Sequence, residues 1–351
     1  MIRRIPALVE KLTPGYFALV MASGIVSLGL KLVGAELLSL AFFVVCAVAH
    51  VTLCALNVWR FVAFRHAMAS DFHDPKRAFG FFTFVAGTNV LGARVAAAGW
   101  FEVAAGLLAL SVVVWIVLGY VIPWSAVLGQ QHRPVVALAN GTWFIWVVAS
   151  QSVAVLAATL EVWAGEGRQY LAILAVLSWS VGVFLYAASG MIVTLRIMLY
   201  ELVPAEFDPP YWVSMGAVAI TVVAGARIVE MDSAPMVDAT RGLVAGASVV
   251  FWAFATWLIP VLVAVGVWRH FVHKVPLRYE PTLWSMIFPL GMYAVAGIYL
   301  GRADRLPVVE WIGSRWLWVA VVAWVIVALA MGRSIVRSLR GVPDAGTRVG
   351  A

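Results

Sequence analysis

Hydrophobic residues in this chain fall into ten long blocks, separated by short stretches that hold charge, Pro and Gly. A helix needs about 20 apolar residues to cross the ~30 Å hydrocarbon layer. Blocks such as LLALSVVVWIVLGYVIPW and WLWVAVVAWVIVALAM are apolar on every face. A transmembrane barrel would instead show short segments of alternating polarity. The pattern predicts an all-α polytopic membrane protein whose spans run roughly over 13–30, 36–59, 79–97, 102–122, 140–160, 170–195, 211–229, 243–268, 282–300 and 314–332. The whole chain reads as a single transmembrane domain, with 338–351 as a short cytoplasmic tail. The first block follows Arg3, Arg4 and Lys11 with no A-x-A-like cleavage site, which reads as a retained helix rather than a signal peptide.

Composition sharpens this picture, because 64% of the 351 residues are hydrophobic and only 12% charged, which leaves no room for a soluble catalytic domain. The net charge of +7 reads as topology, since Lys and Arg are retained on the cytoplasmic side of short loops. With the N-terminus inside, eight of the 24 basic residues lie outside (Lys31, Arg94, Arg168, Arg227, Arg241, Arg302, Arg305 and Arg315) and sixteen inside. Both termini are therefore expected in the cytoplasm and the protein in the inner or plasma membrane. A nucleic-acid surface would need basic residues gathered on one water-facing side; here they are scattered, and no nucleic-acid partner is expected. Cys46 and Cys54 share the second block and imply no disulfide framework.

Polar groups at membrane depth are costly and usually face a bundle interior or an aqueous path. They favour the odd-numbered blocks: Asn89 and Arg94 in the third, Asn140 and Gln151 in the fifth, Ser214, Thr221 and Arg227 in the seventh with Glu230 at its end, and Arg302 closing the ninth. His50 and Asn57 in the second block and Arg196 in the sixth are the exceptions. The turns Lys31 to Glu36 and Ala97 to Glu102 are short enough for helical hairpins. Five hairpins with odd helices inward, lining a central pore, satisfy both observations. Gly24, Gly87, Gly92, Gly216, Gly225, Gly291 and Gly297 sit in the same odd blocks, where small residues either let helices approach or leave room for a solute.

In the ninth block, Phe288 precedes Pro289. Pro removes a backbone donor, so a mid-helix break lining a cavity is expected there. Phe288 then has two readings, as ordinary packing or as a ring that narrows a path and gates it. Arg94, Arg227 and Arg302 all fall at outer helix ends, where they would either draw anions to a pore mouth or pair with Glu230, Asp232 or Glu310. His50 and Glu230 are the titratable candidates for proton coupling. The loop RHAMASDFHDPKR holds His66, Asp71, His73 and Asp74, metal-binding types without a metal-binding spacing, so no metal site is assigned. Neither a G-x-x-x-x-G-K-[ST] loop nor a G-x-S-x-G elbow occurs. Nothing points to an enzyme, a cofactor or ATP-driven pumping.

The runs PGYFALVMASGIVSLGL, NGTWFIWVVASQSVA, YWVSMGAVAI and LWSMIFPLGMYAVA resemble the tellurite-resistance/dicarboxylate transporter family, which includes the yeast malate permease, the fungal sulfite pump and the plant slow anion channels. The resemblance extends along all ten blocks. It implies five hairpins in quasi-fivefold arrangement, a homotrimer, and a pore-blocking Phe on the ninth helix, for which Phe288 is the matching position. The wording of the runs resembles the bacterial and fungal branch. The expected function is transport of small anions, C4-dicarboxylates such as malate first. The alternatives are a gated, passive channel for chloride, nitrate or sulfite and an oxyanion (tellurite-resistance) efflux protein. The expected partners are the anionic solute and the lipid bilayer.

Overall fold

Burial sorts the spans into two classes. In the computed structural model, which describes residues 5–130, 133–232 and 234–340, ten helical runs are long and apolar enough to cross a membrane. Five of them, Pro14–Leu32, Ala78–Ala96, Gly141–Trp163, Pro209–Val229 and Pro281–Ala303, are 78–89% buried over their apolar windows, whereas the five between and after them are only 11–33% buried. The chain alternates strictly between an inner and an outer helix. The physical reason is composition: the outer runs are the more apolar on average, whereas the inner ones carry costly groups such as Asn89, Arg94 and Gln151.

Among the described residues, twelve α-helices carry this arrangement. The inner ones are α2 (Ala18–Leu32), α5 (Phe82–Ala96), α7 (Phe144–Leu160), α9 (Val213–Val229) and α11 (Trp284–Ala303). The outer ones are α3 (Glu36–Ala63), α6 (Phe101–Ile122), α8 (Arg168–Leu199), α10 (Pro235–Val267) and α12 (Pro307–Arg340). Two short helices, α1 (Ile5–Glu10) and α4 (Arg65–His73), complete the set. The inner helices touch in the cyclic order α2, α5, α7, α9, α11 and back to α2, and each packs against the outer helix that follows it.

Each inner helix begins with a short 3-10 turn: Pro14–Phe17, Ala78–Phe81, Gly141–Trp143, Pro209–Trp212 and Pro281–Leu283. These turns contact one another in the same cyclic order, forming a collar at one end of the ring. All five inner helices therefore run parallel. Four of the turns share a local signature of a capping residue, then Pro or Gly, then aromatics: Thr13-Pro14-Gly15-Tyr16-Phe17, Asn140-Gly141-Thr142-Trp143-Phe144, Asp208-Pro209-Pro210-Tyr211-Trp212 and Glu280-Pro281-Thr282-Leu283-Trp284. Pro is preorganised for the first helical position, and Thr13 Oγ1 and Asn140 Oδ1 accept the N–H of Gly15 (3.2 Å) and Thr142 (3.0 Å).

Several expectations need correction. Helix α11 runs without a break from Trp284 to Ala303 with Pro289 inside it. The Pro ring packs against Gly216 of α9, where an added Cβ would come within 2.7 Å of its Cγ. The glycines serve close approach: a Cβ on Gly291 would meet Ile25 at 2.8 Å, and one on Gly297 would meet the Gly313 backbone at 3.0 Å. The loop after the second span contains helix α4, whose Asp71 is buried between Arg60 (2.7 Å) and Arg77 (2.9 Å). Residues 338–340, assigned to a tail, close α12; residues 341–351, with Arg3, Arg4 and Arg348, lie outside the described residues.

Candidate functional site

The two ends of the inner ring differ chemically. At the end opposite the collar lies a cavity of about 220 Å³ to which every inner helix contributes: Leu28 of α2, Ala93 and Ala96 of α5, Val155 and Thr159 of α7, Arg227 of α9 and Tyr299 of α11. Its walls are mostly small or apolar, and among the described residues Arg227 is the one charged residue that lines it. The guanidinium lies 5.5 Å from the Tyr299 ring centroid, within range of a cation–π attraction. Its Nη1 donates to Glu230 at 2.7 Å, while the buried Nε has no partner among the described residues.

Tyr299 also fixes which face of α11 looks along the ring. Positions spaced by three, four and seven share a helix face, so Val295, Met292 and Phe288 continue the stripe that starts at Tyr299. Phe288, eleven residues back, is about 16 Å deeper at 1.5 Å per residue. Phe288 and Val295 are fully buried and Met292 is 2% exposed.

The predicted polar residues are distributed over several interfaces. Asn89 donates to Ser152 Oγ of α7 (2.9 Å) and accepts from Ser111 Oγ of α6 (2.5 Å), tying three helices together. Gln151 points away from the ring toward α8, donating to the Trp179 carbonyl at 3.1 Å across Gly182, whose missing Cβ leaves room for the amide. Asn140 caps its turn and donates to the Lys76 carbonyl. Ser214 and Thr221 donate to carbonyls of their own turns, Tyr211 and Ala217.

The three arginines do not converge on one mouth. Arg94 is buried between α2 and α3, donating to Ser27 Oγ (2.9 Å) and Ser39 Oγ (3.2 Å) with its guanidinium over Phe43. Arg302 pairs with Glu310 (2.8 Å) and donates to the Leu32 carbonyl. Their common feature is position: Lys31, Arg94, Arg227 and Arg302 each occupy the last turn of an inner helix, where a cation offsets the negative end of the helix dipole. Arg227 alone of the three arginines lines the axial cavity. His50 lies edge-on to Phe17, stacked on Phe84 and 3.7 Å from Cys54 Sγ. Glu230 is committed to Arg227.

The collar end holds groups that the sequence reading missed. Five helix N-termini meet there, each carrying about half a positive charge. Tyr16 and Tyr279 hydroxyls are 2.8 Å apart, and Trp284 Nε1 donates to Tyr279 at 3.2 Å. Asp208 stands at the capping position before Pro209 yet makes no cap hydrogen bond, and its Oδ1 is buried without a partner among the described residues. Burial pushes this carboxyl from 3.8 up to about 7, against the opposing pull of Arg269. The signal that could have located this end is the repeated cap, Pro/Gly and aromatic signature, which starts at Thr13, Asn140, Asp208 and Glu280 and is visible only when the inner helices are compared with one another.

Residues 11–331 match a family model described as a voltage-dependent anion channel. Over 148 residues the chain is 62% identical to an uncharacterized membrane protein of Mycobacterium tuberculosis strain CDC 1551, an alignment covering 42% of this chain and 75% of that protein. Over 148 residues it is 27% identical to an uncharacterized transporter of Methanocaldococcus jannaschii, covering 42% of this chain and 41% of the relative.

Proposed function

The chain belongs to the voltage-dependent anion channel family, and we propose that it passes small anions along the axis of its inner ring, with Phe288 as the gate. The observation that carries this reading is the cavity built by all five inner helices with one guanidinium in its wall. Two features agree with it. The collar presents five positive helix ends to a solute on the axis, and the α11 stripe from Tyr299 leads to Phe288, a bulky ring in a position to close the path.

Among anions, small inorganic ones such as chloride, nitrate or sulfite suit the cavity best. A C4-dicarboxylate brings two carboxylates, whereas the walls offer one guanidinium, already shared with Glu230. Malate transport coupled to protons is the second reading, favoured by Asp208, a carboxyl whose buried Oδ1 has no hydrogen-bond partner among the described residues. Oxyanion efflux would use the same path. The protein is then a multi-pass transport protein of the inner or plasma membrane, with the collar facing the cytoplasm, both termini inside and a homotrimeric assembly; the distribution of Lys and Arg supports the orientation.

The test is flux from proteoliposomes loaded with chloride or malate, for wild type, Phe288→Leu and Phe288→Ala. Truncation of the ring is expected to raise chloride flux progressively, with little malate flux. Unchanged chloride flux in both variants, with intact folding, removes Phe288 from the gate; saturable malate flux that collapses a proton gradient replaces the first reading by the second.

A further inference from the structure

Outside the ring, positive charge gathers at the collar end of α12. A groove of about 500 Å³ opens between the loop that precedes α11 and the last turns of α12, lined by Arg278, Tyr279 and Glu280 on one side and Arg333, Ser334 and Arg337 on the other. Arg333 and Arg337 are one helical turn apart, and Arg340 continues the same face. Among the described residues no ion pair includes Arg333 or Arg337. The guanidiniums of Arg333 and Arg337, against the single carboxylate of Glu280, leave the groove with an excess of positive charge.

The depth of the groove is set by helix length. Helix α12 has 34 residues, or about 51 Å at 1.5 Å per residue, some 20 Å more than the hydrocarbon layer. Trp311 and Trp318, both largely exposed near its start, mark the interfacial belt on the far side. Arg333, 22 residues beyond Trp311, is about 33 Å from it along the helix, at the level of the opposite headgroups. Leu277 in the groove wall is 78% exposed, and Ile335 and Val336 on the same stretch of α12 are about half exposed. The groove is thus basic at headgroup depth and apolar at its edge.

We propose that this groove binds the phosphate of an anionic phospholipid headgroup. Guanidiniums suit phosphate through paired, charge-assisted hydrogen bonds, the Ser334 hydroxyl is a further donor in the wall, and basic pockets at the ends of membrane helices are suited to such headgroups. The site has a route to the ring: Tyr279, in its wall, bonds Tyr16 of the first collar turn and accepts from Trp284, the first residue of the helix that carries Phe288. A bound headgroup bears directly on the collar.

The test measures lipid binding, which is independent of what the ring transports. Purified full-length protein is titrated with phosphatidylglycerol, with phosphatidylcholine, and with inorganic phosphate, and bound lipid is counted by native mass spectrometry. At ~1 kcal/mol per arginine near the surface and 1.4 kcal/mol per decade, R333Q/R337Q is expected to weaken phosphatidylglycerol binding about thirty-fold. R65Q/K274Q, which removes equal charge on the same side outside the groove, is expected to change it less than about threefold, because attraction falls off within a screening length of the headgroup. Retained thermal unfolding midpoints establish that both variants fold. Equal binding by wild type and R333Q/R337Q overturns the proposal, as does equal loss in the control. Displacement of phosphatidylglycerol by millimolar inorganic phosphate would reassign the groove to a soluble phosphate and overturn the lipid.

Discussion

Replacing Asp208 by Asn should change how stability depends on pH. Burial, the dominant cause, raises the Asp208 carboxyl from 3.8 to about 7; Arg269, a backbone hydrogen bond and Lys76 oppose it, Glu280 adds to it, and Tyr211 lies within electrostatic reach. Below about pH 4 both the folded and the unfolded chain hold the proton. Between about 4 and 7 only the folded chain does, so stability falls as pH rises through that window. Each decade is worth 1.36 kcal/mol, so the full separation amounts to about 4 kcal/mol against the native state at pH 8. Asn has nearly the same shape and no charge to desolvate. D208N is therefore expected to match wild type near pH 4 and to exceed it by up to about 4 kcal/mol at pH 8, with the gap opening mainly between pH 5 and 7. Apparent unfolding midpoints from tryptophan fluorescence in detergent, at fixed ionic strength, supply the comparison. Parallel pH curves for the two proteins would refute the assignment of a buried, proton-holding carboxyl.

Other outcomes follow from the same geometry. Arg227→Gln should lower anion flux more at low salt than at high salt, because attraction at a partly open cavity is screened over ~10 Å at 0.1 M; equal loss at both would make Arg227 structural. Glu230→Gln frees the Arg227 guanidinium and should raise anion flux at low salt, measured in the same liposomes. Asn89→Leu leaves Ser111 and Ser152 without their shared partner and adds bulk, so an unfolding penalty of about 1–3 kcal/mol is expected, with anion selectivity unchanged in bilayer recordings. Gly297→Val places atoms where the Gly313 backbone lies 3.0 Å from the Cβ position, and should impair folding or expression far more than Gly106→Val, where an added Cβ meets nothing within 4 Å.

The division into buried and lipid-facing helices was legible in the sequence because it is a matter of composition. Asn89, Arg94 and Gln151 mark helices that lie inside, since lipid cannot satisfy them. What each of these side chains touches was not legible. An inner helix meets protein on both its axial and its outer face, so a buried amide such as Gln151 satisfies the polarity rule equally well against α8 as along the axis. Pro289 was misread because a Pro removes one donor from the ladder without having to end the helix, and α11 continues through it. Arg94 and Arg302 looked like a charged mouth because they do cluster at one membrane level, but Ser27, Ser39 and Glu310 were free to take them up. The collar escaped notice because each of its turns, taken singly, is an ordinary loop.

The parallel course of the five inner helices has an electrical consequence. In most bundles neighbouring helices alternate in direction and their dipoles cancel locally; here the opposing helices stand one layer out, some 8–10 Å farther from the axis. An ion on the axis therefore senses a field that the outer layer only partly cancels. An open ring should then rectify, giving unequal currents at equal and opposite voltages in symmetrical salt, without any moving voltage sensor.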